Sequence, residues 1–143
     1  MAMRWSRRRY HLRRPMDHTQ PLLLARDLRV VFRGRGDPVV AVDGISLELE
    51  RGRTLAVVGE SGCGKSTLAR ALLRLVPLAA GSVALDGADI TAMTQSQLRP
   101  LRRHMQLVFQ DPGGSLNEFM TVGSIVGEPL LVHGMASGST LGD

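Results

Sequence analysis

The sequence predicts an α/β fold in which an antiparallel β subdomain precedes an incomplete parallel core sheet. Three stretches carry this prediction. Residues 39–49 end in alternating apolar and polar side chains, as a strand with one exposed face does. Residues 54–58 (TLAVV) are apolar after Thr54, which is typical of a strand buried on both faces of a parallel sheet. The glycine-rich stretch 59–67 (GESGCGKST) then leads into a helical pattern at residues 65–75.

The first strands are separated by residues that break regular structure. Residues 22–32 (LLLARDLRVVF) predict a strand, and the loop at 34–38 after it holds two glycines and a proline. The second strand covers residues 39–49, and a turn at residues 50–53 leads to the apolar run at 54–58. This order predicts two strands, the second of them half-exposed, followed by one buried strand.

Strands and helices alternate after the glycine-rich stretch. Pro77 closes the helix predicted at residues 65–75. The remaining elements are predicted as a strand at 82–86 with a turn at Asp86-Gly87, a short helix at 94–103 interrupted by Pro100, a buried strand at 105–109 (MQLVF), a Pro/Gly loop at 111–117 and a weak helix at 121–132. The pattern is that of one domain without internal repeats.

Composition excludes several classes of protein. The chain has 143 residues and a mass of 15.5 kDa, and its 43% hydrophobic and 22% charged residues exclude disorder throughout. No apolar run approaches the roughly 20 residues that span a bilayer. The single cysteine, Cys63, excludes a disulfide scaffold.

The net charge of +5 is concentrated at the start of the chain. Residues 1–14 hold six arginines and no acid, whereas the remaining twelve bases and thirteen acids nearly cancel. Residues 1–20 are therefore predicted as a basic, disordered leader, with a start codon at Met16 as one alternative and nucleic-acid or anionic-lipid binding as another. Residues 21–132 form the predicted domain, and residues 133–143 are an irregular tail.

The glycine-rich stretch matches G-x-x-x-x-G-K-[ST], the P-loop pattern. Its glycines let the backbone wrap closely, so that successive N–H groups point at phosphate oxygens, and the following helix adds about half a positive charge. A glycine-rich turn without a ligand is the competing interpretation. The predicted nucleotide-binding residues are Gly59, Glu60, Ser61, Gly62, Cys63, Gly64, Lys65, Ser66 and Thr67.

Four side chains of this stretch have predicted roles. Lys65 is the only lysine beside seventeen arginines, and its compact ammonium can follow the β- and γ-phosphates as a catalytic point charge. Ser66 would offer its hydroxyl to Mg²⁺, and Thr67 would offer one to a more distal phosphate. Cys63 is a candidate for alkylation that a bound nucleotide blocks.

Two longer stretches resemble a known family. VVGESGCGKSTLARALLRLVPLAAGSVALDG (57–87) and LRPLRRHMQLVFQDPGGSLN (98–117) are similar to the ATP-binding subunits of ABC transporters, and most similar to the oligopeptide/dipeptide (peptide/nickel) import group. The resemblance covers residues 22–132 and the N-terminal half of such a domain only. It implies the ABC nucleotide-binding form of the P-loop NTPase fold, with ATP and Mg²⁺ as cofactors.

The same resemblance implies a function and partners. The subunit would couple ATP binding and hydrolysis to the import of peptides or similar small solutes. It would pair with a second nucleotide-binding subunit, identical or different, and with transmembrane permease subunits at the cytoplasmic face of the membrane. An unassembled fragment would be soluble, and no specific nucleic acid is expected.

Two residues outside the P-loop gain roles from this resemblance. Gln110 takes the place of the Q-loop glutamine, which contacts Mg²⁺ and the attacking water and reports the γ-phosphate to the membrane subunit. Phe32 falls near the place of the aromatic residue that stacks on adenine, and a phenylalanine in the core of the strand is the alternative.

The chain also departs from the family pattern. It has no LSGGQ signature and no run of four apolar residues ending in Asp-Glu, so the Walker B aspartate and the catalytic glutamate are missing. We therefore expect a chain truncated before these motifs. The alternative function is a nucleotide-binding fragment without ATPase or transport activity. Glu118 and Phe119 stand where the group has Pro and Arg. Phe119 is expected in the core, and the alternative is an exposed Phe119 that packs against a partner helix.

Two other classes of function compete with these. A nucleic-acid-binding protein would use the arginines of the leader, for which the body offers no further basic stripe. Another P-loop enzyme, such as a small-molecule kinase, would share the glycine-rich stretch but would not need the VFQDP segment at 108–112.

Overall fold

A computed structural model describes residues 20–111 and 113–137 of the chain. The described residues form two compact units, one ending at Leu98 and the other beginning at Arg99. Nearly all of the predicted leader, residues 1–19, lies outside the described residues, as do residues 138–143 of the predicted tail. Within the described part, no helix has the length and apolar character needed to cross a membrane.

The first unit contains a four-stranded antiparallel sheet with the order β2-β1-β3-β4. Its elements are β1 (Leu23–Phe32), β2 (Val39–Leu49), α1 (Lys65–Leu72), β3 (Ala80–Leu85), β4 (Ala88–Asp89) and α2 (Gln95–Leu98). β1 lies in the interior of the sheet and pairs with β2 on one side and with β3 on the other. The predicted strands at 22–32, 39–49 and 82–86 are confirmed within two residues.

The core of this unit lies between the sheet and α1. Leu28 and Val30 of β1 are fully buried, since alternate residues of a strand face the same side. Leu68 and Ala71 of α1, one helical turn apart, are also buried, and α1 packs against β1 and β2. Burial of each leucine contributes about 1.5–3 kcal/mol, so this contact fixes α1 on the sheet.

The turn between β3 and β4 follows the prediction from Asp86-Gly87. Both residues have positive φ angles, 50° and 72°, which is the conformation that a two-residue hairpin turn requires. Asp86 also forms an ion pair with Arg51, which lies in the turn after β2. At the end of β4, hydrogen bonds from the side chain and the backbone N–H of Thr91 lower the pKa of Asp89.

Two predicted strands are wrong. Residues 54–58 and 105–109 have no strand structure and no sheet partner among the described residues. Val58 is 92% exposed and Val108 is 86% exposed, whereas both were predicted to be buried. A parallel strand depends on hydrogen-bonded neighbours supplied by distant parts of a chain. The antiparallel subdomain is thus confirmed, but the described residues form no parallel core sheet.

The helices are shorter than their predicted spans. α1 ends at Leu72, and Arg74 turns the chain with a φ of 54°, before Pro77 is reached. The helix predicted at 94–103 is α2 followed by a 3₁₀ helix at Arg99–His104, since Pro100 has no N–H for an α-helical hydrogen bond.

The second unit carries α3 (Val122–Val132), which confirms the weak helix predicted at 121–132. The Thr121 hydroxyl caps its first turn by accepting a hydrogen bond from the Ser124 N–H at 3.2 Å. A short 3₁₀ helix, Gly113–Ser115, replaces part of the predicted loop. Phe119 is 97% exposed, so the expectation that it fills the core is wrong. It lies within the Asn117–Met120 turn, which the Met120 N–H closes by donating to the Asn117 carbonyl at 3.0 Å.

Candidate nucleotide-binding loop

The glycine-rich loop connects residues 54–58, which have no regular secondary structure, to α1. The Cys63 N–H donates to the Glu60 carbonyl at 3.3 Å and closes a tight turn inside the loop. Gly62 and Gly64 have φ angles of 82° and 96°, in the left-handed region where a side chain is strained. These two glycines let the backbone adopt left-handed conformations at the turn and at the start of α1.

The loop rests on β2 through one close backbone contact. A Cβ placed on Gly64 would lie 2.2 Å from the carbonyl oxygen of Ala41. The register of β1 and β2 shifts at this point, from Val30 opposite Val42 to Val31 opposite Val40, so that Ala41 is the extra residue of a bulge. The bulge carbonyl therefore lies against the start of α1, and only glycine fits there.

Gly59 meets a similar constraint within the loop. A Cβ at Gly59 would lie 2.8 Å from the Cys63 sulfur, closer than real Cβ contacts come. The first and fifth residues of the loop are thus packed against each other. Cys63 is nevertheless exposed and free, so a reagent can reach its thiol.

The N-terminus of α1 has the properties of an anion site. Gly64 is the N-cap, and no side chain caps the first turn. The first turn also contains no acidic residue that would repel an anion. The first N–H groups of a helix have no partner within the helix. Those of α1 therefore remain available to a ligand, and the positive end of the helix dipole lies at the same place. A phosphate group matches both features.

The Lys65 side chain folds back over the loop. Its Nζ donates to the carbonyls of Gly59 at 2.8 Å and Glu60 at 2.5 Å, and lies 3.5 Å from the Cys63 sulfur. The ammonium has three donors, and three acceptors of the loop surround it. The single lysine of the chain thus stands at the loop opening, where its charge adds to that of the helix N-terminus.

The remaining P-loop residues offer hydroxyl groups. Ser66 is exposed in the first turn of α1, and Thr67 beside it is half-buried. Among the described residues, no group of three or more His, Cys, Asp or Glu side chains could hold a metal ion. Mg²⁺ usually keeps several waters and takes phosphate oxygens together with one or two protein ligands. One serine hydroxyl beside a phosphate cradle therefore fits this ion.

The structure also places the two candidates outside the loop. Phe32 is the last residue of β1, lies opposite Val39, and is 44% exposed, so it is not the core phenylalanine of the alternative interpretation. Val39 is two residues from Ala41, which supports the loop. Gln110 belongs to the second unit, where it is exposed after residues 105–109, which have no regular secondary structure. Sequence reasoning missed Ala41, because an apolar residue in an alternating strand carries no sign of a bulge.

The chain has the features of the P-loop NTPase fold class. These are the antiparallel sheet, the apolar residues 54–58, the glycine-rich loop after them and α1. Comparison with known proteins identifies the family within this fold class. A family model described as ABC transporter matches residues 42–135, more than half of the chain. The chain belongs to the ABC transporter family.

Three similar proteins illustrate the relationship. The di/tripeptide transport ATP-binding protein DppF of Pseudomonas aeruginosa is 46% identical over 121 residues, which are 80% of this chain and 37% of DppF. The oligopeptide transport ATP-binding protein OppF of Salmonella typhimurium is 53% identical over 93 residues, 65% of this chain and 28% of OppF. The chain thus spans about a third of the length of these relatives.

The third is a solved structure. The dimeric ATP-binding cassette MJ0796, in a post-hydrolysis state with bound ADP and Pi, aligns with a TM-score of 0.71 at 22% identity over 83% of this chain and 52% of that chain. The likeness confirms the expected ABC nucleotide-binding fold, since it covers most of this chain.

Proposed function

We propose that the chain binds Mg²⁺-ATP through residues 59–67 and serves as the ATP-binding subunit of an importer of peptides or similar small solutes. The uncapped N-terminus of α1, with the Lys65 ammonium beside it, is the observation that carries the nucleotide-binding part. The names of DppF and OppF, which are transport ATP-binding proteins for short peptides, support the import part.

Each part of the loop has one task in this proposal. The N–H groups of the first turn of α1 and the turn at Glu60–Cys63 surround the β-phosphate, and the backbone approaches closely because Gly62 and Gly64 have no side chain. The Lys65 ammonium leaves the loop carbonyls and pairs with the β- and γ-phosphates. Ser66 would hold Mg²⁺, which neutralises charge on the phosphate oxygens when it is bound.

Two further residues have proposed roles that the family resemblance implies. The exposed ring of Phe32 would stack on adenine, because it lies at the end of the hairpin whose other strand supports the loop. Gln110 would orient the attacking water and contact the metal. Its exposed position in the second unit leaves its amide accessible to a ligand.

Hydrolysis needs more than the described loop provides. An in-line water must be positioned and must lose a proton, and a general base typically contributes about 10²–10⁴ in rate. The sequence has no apolar run ending in Asp-Glu to supply this base. We therefore propose a second function for the chain on its own, nucleotide binding without significant turnover.

We further propose that the chain works with other subunits at the cytoplasmic face of the membrane. A second nucleotide-binding subunit would close the site, as the dimeric state of the MJ0796 cassette suggests by analogy, and permease subunits would carry the solute. The predicted boundaries, with a domain at 21–132 preceded by a basic leader, remain part of this proposal.

Equilibrium binding of labelled ATP to the full chain tests the proposal. Binding should require Mg²⁺ and should weaken about 10- to 150-fold in Lys65→Ala, since hydrogen bonds from a charged donor contribute about 1.5–3 kcal/mol. Arg70→Ala is the matched control, because Arg70 is an exposed cation on α1 outside the loop. Equal binding by both variants, or no binding by the wild type, would refute the proposal.

A further inference from the structure

A cleft opens on the face of β1 that is turned away from the core. Arg29, Val31 and Arg33 occupy alternate positions along the chain, so their side chains share this face. Leu28 and Val30, which flank Arg29 in sequence, are buried on the opposite face against the core. The cleft has a volume of about 530 Å³, within the usual range of about 300–1,000 Å³ for small-molecule sites.

The walls of the cleft are apolar and fixed by backbone structure. Val40 and Pro38 line it from the side of β2, and residues 77–80 line it from the other side. The N–H of Ala79 donates to the Arg29 carbonyl at 2.8 Å, which ties the second wall to the central strand. This hydrogen bond fixes the second wall relative to β1, and the apolar side chains of the cleft can cover part of an alkyl chain.

Both charged side chains that line the cleft are arginines. Arg29 pairs with Asp43 at 3.2 Å, but the two side chains are 48% and 70% exposed, and ion pairs of this kind contribute little. Arg33 forms no ion pair with any residue in the described ranges 20–111 and 113–137. A guanidinium presents its donors as a planar fork that matches an oxyanion. The cleft thus combines an apolar body with a positively charged rim.

We propose that this cleft binds an amphiphilic anion, that is, one carboxylate or phosphate group carried on a short alkyl chain. The alkyl chain lies on Val31 between Val40 and Leu78, and the oxyanion accepts hydrogen bonds from Arg33 and Arg29. The cleft shares no lining residue with the P-loop. The inference therefore goes beyond the proposed nucleotide-binding function and does not depend on it.

The test uses the isotopically labelled full chain and two-dimensional amide NMR. Octanoate and octyl phosphate are titrated separately, which distinguishes a carboxylate from a phosphate ligand. 1-Octanol provides the alkyl chain without charge, and inorganic phosphate provides the charge without the chain. At least one amphiphilic anion should bind saturably, with shifts concentrated at residues 29–33, 38–40 and 77–80, and at least about tenfold more tightly than either control.

Two arginine variants complete the experiment. Arg33→Ala should weaken the binding about tenfold or more, whereas Arg35→Ala, which removes an exposed arginine two residues away that does not line the cleft, should leave it unchanged. An amide spectrum that matches the wild type outside the cleft residues would show that Arg33→Ala is folded. The proposal is overturned if neither amphiphile binds, if 1-octanol or inorganic phosphate binds as tightly, or if both variants weaken the binding equally.

Discussion

Gly64 should tolerate alanine much less well than Gly62, although both have left-handed backbone conformations. An L-residue in this region costs about 1–2 kcal/mol, and this cost applies to both positions. A Cβ at Gly62 meets nothing within 4 Å, whereas a Cβ at Gly64 lies 2.2 Å from the Ala41 carbonyl oxygen. The two glycines therefore form a matched pair that differs in one backbone contact.

The size of the difference follows from that contact. Real Cβ atoms stay beyond about 3.0 Å, so Gly64→Ala must displace α1 or the bulge of β2 by roughly 0.8 Å. Forced displacement in a packed region costs about 1–3 kcal/mol. Gly62→Ala should thus lower the free energy of unfolding by about 1–2 kcal/mol, and Gly64→Ala by about 2–5 kcal/mol.

Urea denaturation of the full chain without nucleotide, followed by circular dichroism, measures both values. Nucleotide is left out because a ligand that binds only the folded state would raise both stabilities. A difference below about 0.5 kcal/mol between the two variants would refute the reasoning, since the Ala41 contact would then not support the loop.

Three further outcomes are expected. If the chain binds nucleotide without significant turnover, as proposed, it should hydrolyse ATP at least about a hundredfold more slowly than OppF, and phosphate release within about tenfold of OppF would contradict this proposal. Mg²⁺-ATP should slow N-ethylmaleimide labelling of the exposed Cys63, measured by mass spectrometry, whereas Mg²⁺ alone should not. Asp89→Asn should be less stable than the wild type at pH 7, because the lowered pKa of Asp89 stabilises the folded state above the ordinary value of 3.8. The difference in free energy of unfolding between the wild type and Asp89→Asn, measured by urea denaturation, should vanish as the pH falls through the folded-state pKa of Asp89. A difference that stays the same at every pH would contradict this expectation.

The sequence predicted the antiparallel strands well because their pattern is local. β2 spans Val39–Leu49, the predicted range, and β1 begins one residue after its predicted start. In each case residues that break regular structure lie next to the strand, and its side chains alternate where it has one buried face. The P-loop was also predictable, since the motif itself specifies where the backbone needs glycine. Positive φ angles at Gly62 and Gly64 agree with that requirement.

The errors concern contacts between distant residues. The apolar runs at 54–58 and 105–109 have the composition of buried strands, but composition does not supply the neighbours with which a parallel strand must pair. Ala41 likewise looks like any inward-facing residue, and only the register with β1 shows that it lies in a bulge. Phe119 was assigned to the core by its residue type alone, whereas the turn before α3 holds it in solvent.

The geometry around Lys65 also explains why a chain with seventeen arginines has a lysine here. Its Nζ contacts two carbonyls and a sulfur within the five residues from Gly59 to Cys63, at 2.8, 2.5 and 3.5 Å. A compact ammonium can direct three donors at acceptors that converge on one point, whereas the donors of a guanidinium lie in a plane. Because a phosphate must replace these internal hydrogen bonds, the net contribution of Lys65 to affinity is smaller than its charge alone suggests. Lys65→Arg keeps the charge but loses this convergence, so its ATP affinity should fall toward that of Lys65→Ala rather than stay near the wild type.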